Sequence, residues 1–272
     1  MNAEAFNTKV KRNVAHNFDQ SIRLYREFED KHGFFEALTM KMAEAIGIEE
    51  HASVLDIGCG YGVSACALHE RLGCRVLGVD LSPEMIAAGR SYCQGEGIEL
   101  CVGDGENLSS LVEDHSFDYA LYNASIFIFP DVSRTIAESH RHLRDGGKIA
   151  FSFYPQLLGE DDADLFELAF ERLGEPLPRF RVITGYAKAA AALESRCVDI
   201  GHHRWVRPLD IEFLQDFFSI PAQSASLFPG RGYEERRELS LRLFGTLGDQ
   251  TKTGRIVWRM AEGAKSGAAL RQ

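Results

Sequence analysis

The stretch Ser53-Val54-Leu55-Asp56-Ile57-Gly58-Cys59-Gly60-Tyr61-Gly62 constrains this chain more than any other. An apolar run, an acid and three glycines at alternate positions describe a buried strand that turns sharply into a helix. The glycines let backbone approach a ligand where a Cβ would clash. A second apolar run, Val76-Leu77-Gly78-Val79, ends in Asp80, where a carboxylate could take both hydroxyls of a ribose. Together the two features mark a nucleoside site. The spacing departs from the dinucleotide form G-x-G-x-x-G, because the third glycine follows the second by two residues rather than three. Asp56 would also set a negative charge beside a pyrophosphate, whereas it suits a ligand carrying an ammonium group.

Around this motif the pattern alternates between strand and helix. Predicted strands cover residues 54–57, 75–79, 98–102, 117–122 and 148–153, with helices between them. Ser82 is an N-cap followed by Pro83, a strong helix start. A helix over 135–144 is expected to end at Gly146-Gly147. Such alternation argues for an α/β fold, a parallel sheet with helices on both faces. Asp56 and Gly58, Asp80, Asp104 and Asn123 all fall at the ends of successive strands, the edge where such sheets bind ligands.

Ahead of the sheet, Val14, Phe18, Ile22 and Tyr25 recur as one face of a helix, and Phe34-Phe35, Leu38, Met42 and Ile46 give a second, stopped by Gly47. After Pro155 the regularity fails. Helices are expected within 155–197, at 211–218 and at 234–247, with a sixth strand over 198–206 and a closing strand over 255–260. The division expected is a helical cap at 1–50 and one domain over 51–272, whose residues 155–250 hold helical additions.

The chain has 272 residues and a net charge of −10. Phosphate binding needs concentrated basic surface, so this balance argues against a nucleic-acid partner. Arg231, Arg236, Arg237 and Arg242 alternate with Glu234, Glu235 and Glu238, which reads as a solvated helix. No signal-like or membrane-length apolar run is found, and no membrane partner is expected. The six cysteines (Cys59, Cys66, Cys74, Cys93, Cys101 and Cys197) show no C-x-x-C spacing. They are expected to be free buried thiols in a reducing cytoplasm, in a monomer or homodimer.

Residues 54–62 resemble the first motif of the class I S-adenosylmethionine-dependent methyltransferases position for position. Gly103-Asp104-Gly105-Glu106 and the segment 116–125 resemble that family's later motifs. The resemblance spans residues 50–155 and implies a Rossmann-like seven-stranded sheet in order 3-2-1-4-5-7-6 with the last strand antiparallel. It also implies S-adenosylmethionine as cofactor, with Gly58, Cys59 and Gly60 under its methionine portion and Asp56 near its amino group. Asp80 would take the ribose hydroxyls, Leu81 would pack on adenine, and Asp104 with the Gly105 N–H would meet the adenine edge. Asn123 and Ala124 would line the sulfonium side. Phe18-Asp19 and Tyr25 resemble a helix of the small-molecule members, in which Tyr25 closes over the cofactor. Residues 155–250 would then shape the acceptor pocket.

Methyl transfer asks mainly for alignment, since the sulfonium already activates the methyl group. A general base is needed only where the accepting atom carries a proton. Tyr154, His202 and His203 are the candidates, while His140 and His142 are expected on a helix surface. Ser125, Phe127 and Phe129 are candidate pocket walls. No metal site is expected. Two alternatives remain open: a protein that binds the cofactor without methylating, and a methyltransferase acting on arsenite or another thiophilic acceptor. The latter wants several thiolates, for which Cys59 and Cys197 are the candidates.

Overall fold

Five apolar runs, each too short for a helix and each followed by glycine or a polar turn, become the strands that organise the chain. A computed structural model describes residues 3–112, 116–179 and 181–267. In chain order these form α1 (Ala3–Asp19), α2 (Ile22–His32), α3 (Phe34–Ile46), β1 (Ser53–Ile57), α4 (Val63–Leu72), β2 (Arg75–Asp80), α5 (Pro83–Tyr92) and β3 (Ile98–Val102). There follow β4 (Phe117–Tyr122), α6 (Val132–His142), β5 (Leu143–Ser152), β6 (Gln156–Leu158), α7 (Leu165–Leu173), α8 (Tyr186–Glu194) and β7 (Val198–Pro208). The chain closes with α9 (Ile211–Phe218), α10 (Pro221–Leu227), α11 (Tyr233–Gly245) and β8 (Arg255–Ala264).

Strands β3, β2, β1, β4 and β5 pair in parallel in that order. β8 runs antiparallel to β5, and β7 runs antiparallel to β8. The short β6 pairs the same β8 residues that β7 pairs, so it lies on the opposite edge of β8 and continues the line of β5. The sheet is therefore the expected 3-2-1-4-5-7-6 arrangement with one short strand added after Pro155. Successive residues of the central strands feed separate cores on its two faces. Leu55, Ile57, Tyr122 and Phe151 pack on one side, and Val54, Val76, Leu121 and Ala150 on the other, as the two-residue period of a strand requires.

Several local expectations are corrected. The face Val14-Phe18-Ile22-Tyr25 is split between α1 and α2 at Gln20-Ser21. Ser21 turns the chain there because its Oγ donates to Asn17 O and accepts the N–H of Ala222, some two hundred residues away. α6 stops at His142 rather than at Gly146-Gly147, because Leu143 is already extended and pairs with Phe117. The glycines instead lie where the register slips between Phe117 and Tyr119, and a Cβ on Gly147 would meet Asp118 O at 2.8 Å. His142 is fully buried.

Nor are all the cysteines free. Cys66 of α4 and Cys93, just after α5, form a disulfide with Cα atoms 5.6 Å apart, leaving Cys59, Cys74, Cys101 and Cys197 as thiols. Two helices on one face of the sheet bring together residues whose spacing gave no hint of pairing. Closing a loop of this length stabilises a fold by about 3 kcal/mol.

The N-terminal helices share a core with the sheet. Phe28 and Phe34 pack against Phe213 and Phe217 of α9, and Phe34 lies 4.7 Å from the ring of Trp258 in β8. α10 rests on α1 and donates to Tyr25 through Gln223. The first helices and the late ones thus form one roof over the carboxyl ends of β1, β2 and β4.

Candidate functional site

The glycine loop leaves β1 through left-handed backbone at Gly58 (φ +73°) and Gly60 (φ +54°). A Cβ on Gly58 would lie 2.6 Å from that of Ser125, while Gly60 faces open space within 4 Å. The first glycine is thus required by packing, and the second leaves bare backbone at the edge of a cavity. The N–H of Gly60 donates to Asp80 Oδ2 at 2.9 Å and that of Ser82 to Asp80 Oδ1 at 2.9 Å. Two backbone bonds orient the carboxylate of Asp80 and still leave about half of its roughly four lone-pair sites for a ligand.

Negative charge is concentrated here. Asp56 is buried, and neither carboxylate oxygen has a hydrogen-bond partner among the described residues. Burial, and then the charge of Asp80, pushes its pKa up to about 7. Burial also raises Asp80, against the pull of the Ser82 and Gly60 N–H groups. Asp19, at the end of α1, accepts from Ser82 Oγ at 2.5 Å and adds to the field on Asp80. An orphaned buried carboxylate with Asp80 beside it fits a cationic ligand, because an unpaired buried charge is costly.

The space over the loop is divided. A cavity of about 50 Å³ is lined by Lys11, Asp80, Leu81, Gly103, Gly105 and Phe129, among others. A second, of about 60 Å³, is lined by Tyr25, Cys59, Gly60, Asn123 and Gln223, among others. Phe18, Gly58 and Ala124 line both. Each is far below the roughly 300–1,000 Å³ of ordinary ligand clefts, and Lys11, Val14, Ala15 and Phe18 of α1 form one wall of the first. Lys11 holds α1 down, with Nζ 2.7 Å from Asp104 Oδ2 and 2.6 Å from Glu106 Oε2. Burial works against this ammonium, yet the two carboxylates outweigh it and raise its pKa. A third cavity of about 610 Å³ adjoins these and shares Phe18 and Ala124 with both. Tyr154, Phe127, Arg181, Gln223 and Ser226 are among its walls.

The residues expected from the sequence are thus brought together unequally. Asp56, Gly58, Cys59, Gly60, Asp80, Leu81, Gly105 and Ala124 gather around the loop. Tyr25 joins them from α2, its hydroxyl accepting from Gln223 Nε2 at 2.7 Å. Asp104 turns its carboxylate to Lys11 and to the N–H of Glu106. Asn123 lines a small cavity, but its amide is committed: Nδ2 donates to Thr39 Oγ1 and Ser64 Oγ, and Oδ1 accepts from Ser152 Oγ. What this position offers a ligand is backbone, and Ala124 beside it holds a left-handed φ of +53°.

Among the base candidates, Tyr154 faces the large cavity, with its hydroxyl 3.4 Å from Ser226 Oγ. Burial pushes its phenol up, so it stays protonated at neutral pH. His202 and His203 stand on β7, where they bond Tyr186 Oη and Glu262 Oε1, and neither lines the three cavities around the loop. Ser125 and Phe129 line the first cavity and Phe127 the large one. Sequence reasoning missed Lys11, Arg181 and Gln223. Of these only Lys11 left a signal, a cation beside the apolar face of a helix. Cys59 and Cys197 belong to the cores on opposite faces of the sheet, so they do not converge. No group of three metal-ligating side chains occurs among the described residues, and no helix among them is long and apolar enough to cross a membrane.

Comparison with known proteins agrees with this geometry. Residues 55–151 match the family model described as a methyltransferase domain. The chain is 31% identical over 152 residues to the aklanonic acid methyltransferase DauC of a Streptomyces species, covering 53% of this chain and 66% of that protein. It is 32% identical over 107 residues to a demethylmenaquinone methyltransferase of Staphylococcus epidermidis, covering 38% of this chain and 44% of that one. The match therefore spans less than two thirds of either relative. Among solved structures, phosphoethanolamine N-methyltransferase 2 of Haemonchus contortus, in complex with phosphomonomethylethanolamine and S-adenosylhomocysteine, aligns with a TM-score of 0.56 at 18% identity, over 84% of this chain and 52% of that one. The YcgJ protein of Bacillus subtilis aligns with a TM-score of 0.56 at 19% identity, over 87% and 100%; at these identities the likeness concerns the fold. Family match, sheet order and glycine loop agree that this chain carries a class I S-adenosylmethionine-dependent methyltransferase domain.

Proposed function

We propose that the protein transfers a methyl group from S-adenosylmethionine to a small organic acceptor, with the donor over the glycine loop and the acceptor in the large cavity. The observation that carries this reading is the cavity of about 610 Å³ that meets the loop's own cavities at Phe18 and Ala124. When bound, the cofactor supplies a methyl group already activated by its sulfonium. Asp56 and the Gly58–Gly60 backbone would hold its amino-acid end, Asp80 its ribose, and Leu81 and Gly105 its base. Asp104 would join them once Lys11 releases it. Tyr25, fixed by Gln223, would close the site from above and exclude water.

The described side chains lining the acceptor cavity include no carboxylate and no imidazole. Alignment is therefore the main contribution we assign to the chain. The names of the two curated relatives, both methyltransferases of small organic molecules, support this acceptor class. The split of Cys59 and Cys197 between two cores speaks against a thiophilic acceptor. We further place the protein in the cytoplasm, as a monomer or homodimer without a nucleic-acid partner, on its acidic balance; the Cys66–Cys93 bridge is the feature that pulls the other way.

The test is turnover with methyl-labelled S-adenosylmethionine against a panel of quinols, polyketide acids and amines. Label should appear in an acceptor that gains one methyl group by mass. Tight binding of S-adenosylhomocysteine with no transfer to any member would instead favour a binding protein that does not methylate.

A further inference from the structure

The acceptor cavity is charged in the opposite sense to the molecule that contains it. The chain carries a net charge of −10, yet the only charged side chains among the described residues lining this cavity are Arg181 and Lys188. Most of the remaining wall is apolar, including Phe6, Val10, Ile128 and Val182.

Arg181 is poorly served by its protein neighbours. Its nearest carboxylate, Asp164, is reached only at 3.4 Å by Nη2, and its guanidinium lies 4.3 Å from the centroid of the Phe166 ring. Nη1 is buried and has no hydrogen-bond partner among the described residues. The side chain as a whole keeps 26% of its surface accessible and lines the cavity, so its weakly engaged guanidinium can turn to an acceptor atom on a ligand there. The segment is also held in place. The N–H groups of Ile183 and Thr184 both donate to Phe127 O, at 3.0 and 2.9 Å, and Thr184 Oγ1 donates to Phe129 O at 2.7 Å. These bonds fasten Arg181 to the loop that begins at Ala124, the residue shared with the donor side.

Resting on the methyl-transfer reading above, we infer that the acceptor is an apolar organic carboxylate, anchored through Arg181 while its remaining body fills the cavity. The guanidinium fork matches a carboxylate. Asp164, in contact with Nη2, disfavours the second negative charge of a phosphate monoester. Lys188 is exposed and raises the local concentration of anions at the rim. Arg181 is in these terms a positioning and specificity residue.

The test is titration calorimetry on the full chain saturated with S-adenosylhomocysteine, using 2-naphthoate, 2-naphthamide and 2-naphthyl phosphate as probes. Naphthoate should bind at least tenfold more tightly than naphthamide and more tightly than the phosphate. Arg181→Gln should erase the preference for acid over amide, and Arg181→Lys should reduce it without abolishing it, while the affinity for S-adenosylhomocysteine stays unchanged in both. The inference is overturned if naphthoate fails to bind, if amide or phosphate binds as well, or if the acid preference survives in Arg181→Gln. The comparison of probes on the unaltered protein stands even where the glutamine variant does not fold. Loss of S-adenosylhomocysteine binding in the unaltered protein would overturn the methyl-donor reading instead, which separates the two failures.

Discussion

Asp56 concentrates the electrostatics of the donor site in one side chain. Its carboxyl is buried without a partner among the described residues, and burial pushes its pKa up to about 7, well above the roughly 3.9 of an unfolded aspartate. The native state therefore binds a proton more readily than the unfolded chain does. The stabilisation this brings is complete below about pH 4 and is lost as pH rises through about 7. A cationic ligand prefers the ionised form, so ligand binding must strengthen over the upper part of that range. We predict that affinity for S-adenosylhomocysteine rises roughly five- to tenfold from about pH 6 to pH 7.5, below the titration of an α-amino group near 7.7–8.0. Calorimetry on Asp56→Asn should give weaker binding with a flat profile. An unchanged slope in that variant would assign the pH dependence to another group. Asp56, Gly58 and Asp80 were legible in the sequence because a strand that ends in a glycine turn fixes its own geometry. Asn123 was legible by position only, since Thr39, Ser64 and Ser152 claim its amide from three other elements.

At the scale of elements, α1 covers the edge of the glycine loop. Lys11 pins it to Asp104 and Glu106, and Asp19 pins its end to Ser82 at the start of α5. On the proposed reading, Lys11 occupies the carboxylate that Asp104 would offer a base. Lys11→Gln should speed association of S-adenosylhomocysteine several-fold in stopped-flow measurements while leaving the far-ultraviolet spectrum of the fold unchanged. An unaltered association rate would mean that α1 does not limit entry. The central strands could be read locally because their apolar runs and turn residues agree. The break between α1 and α2 could not, because the bond that fixes Ser21 comes from Ala222 of α10. The same holds for the early end of α6, set by pairing of Leu143 with Phe117, and for the Cys66–Cys93 bridge, set by the packing of α4 beside α5.

Across the whole molecule, one sheet edge carries the donor site and one roof of early and late helices carries the acceptor cavity. The first is dense in local sequence signals. The second is assembled from α1, α10 and the segment that bears Arg181, residues far apart in the chain with no motif among them. The family could therefore be read in the sequence while the acceptor pocket could not. The proposal that unites the two halves is a methyl donor on the glycine loop with its ribose on Asp80, which would make the large cavity face a reacting centre. The most direct measurement is calorimetric titration of S-adenosylhomocysteine into the unaltered protein and into Asp80→Ala. One-to-one saturable binding is predicted, weakened in the variant by about 2–4 kcal/mol through loss of two hydrogen bonds to a charged acceptor. Equal affinity in the two proteins, or no binding to either, would contradict it.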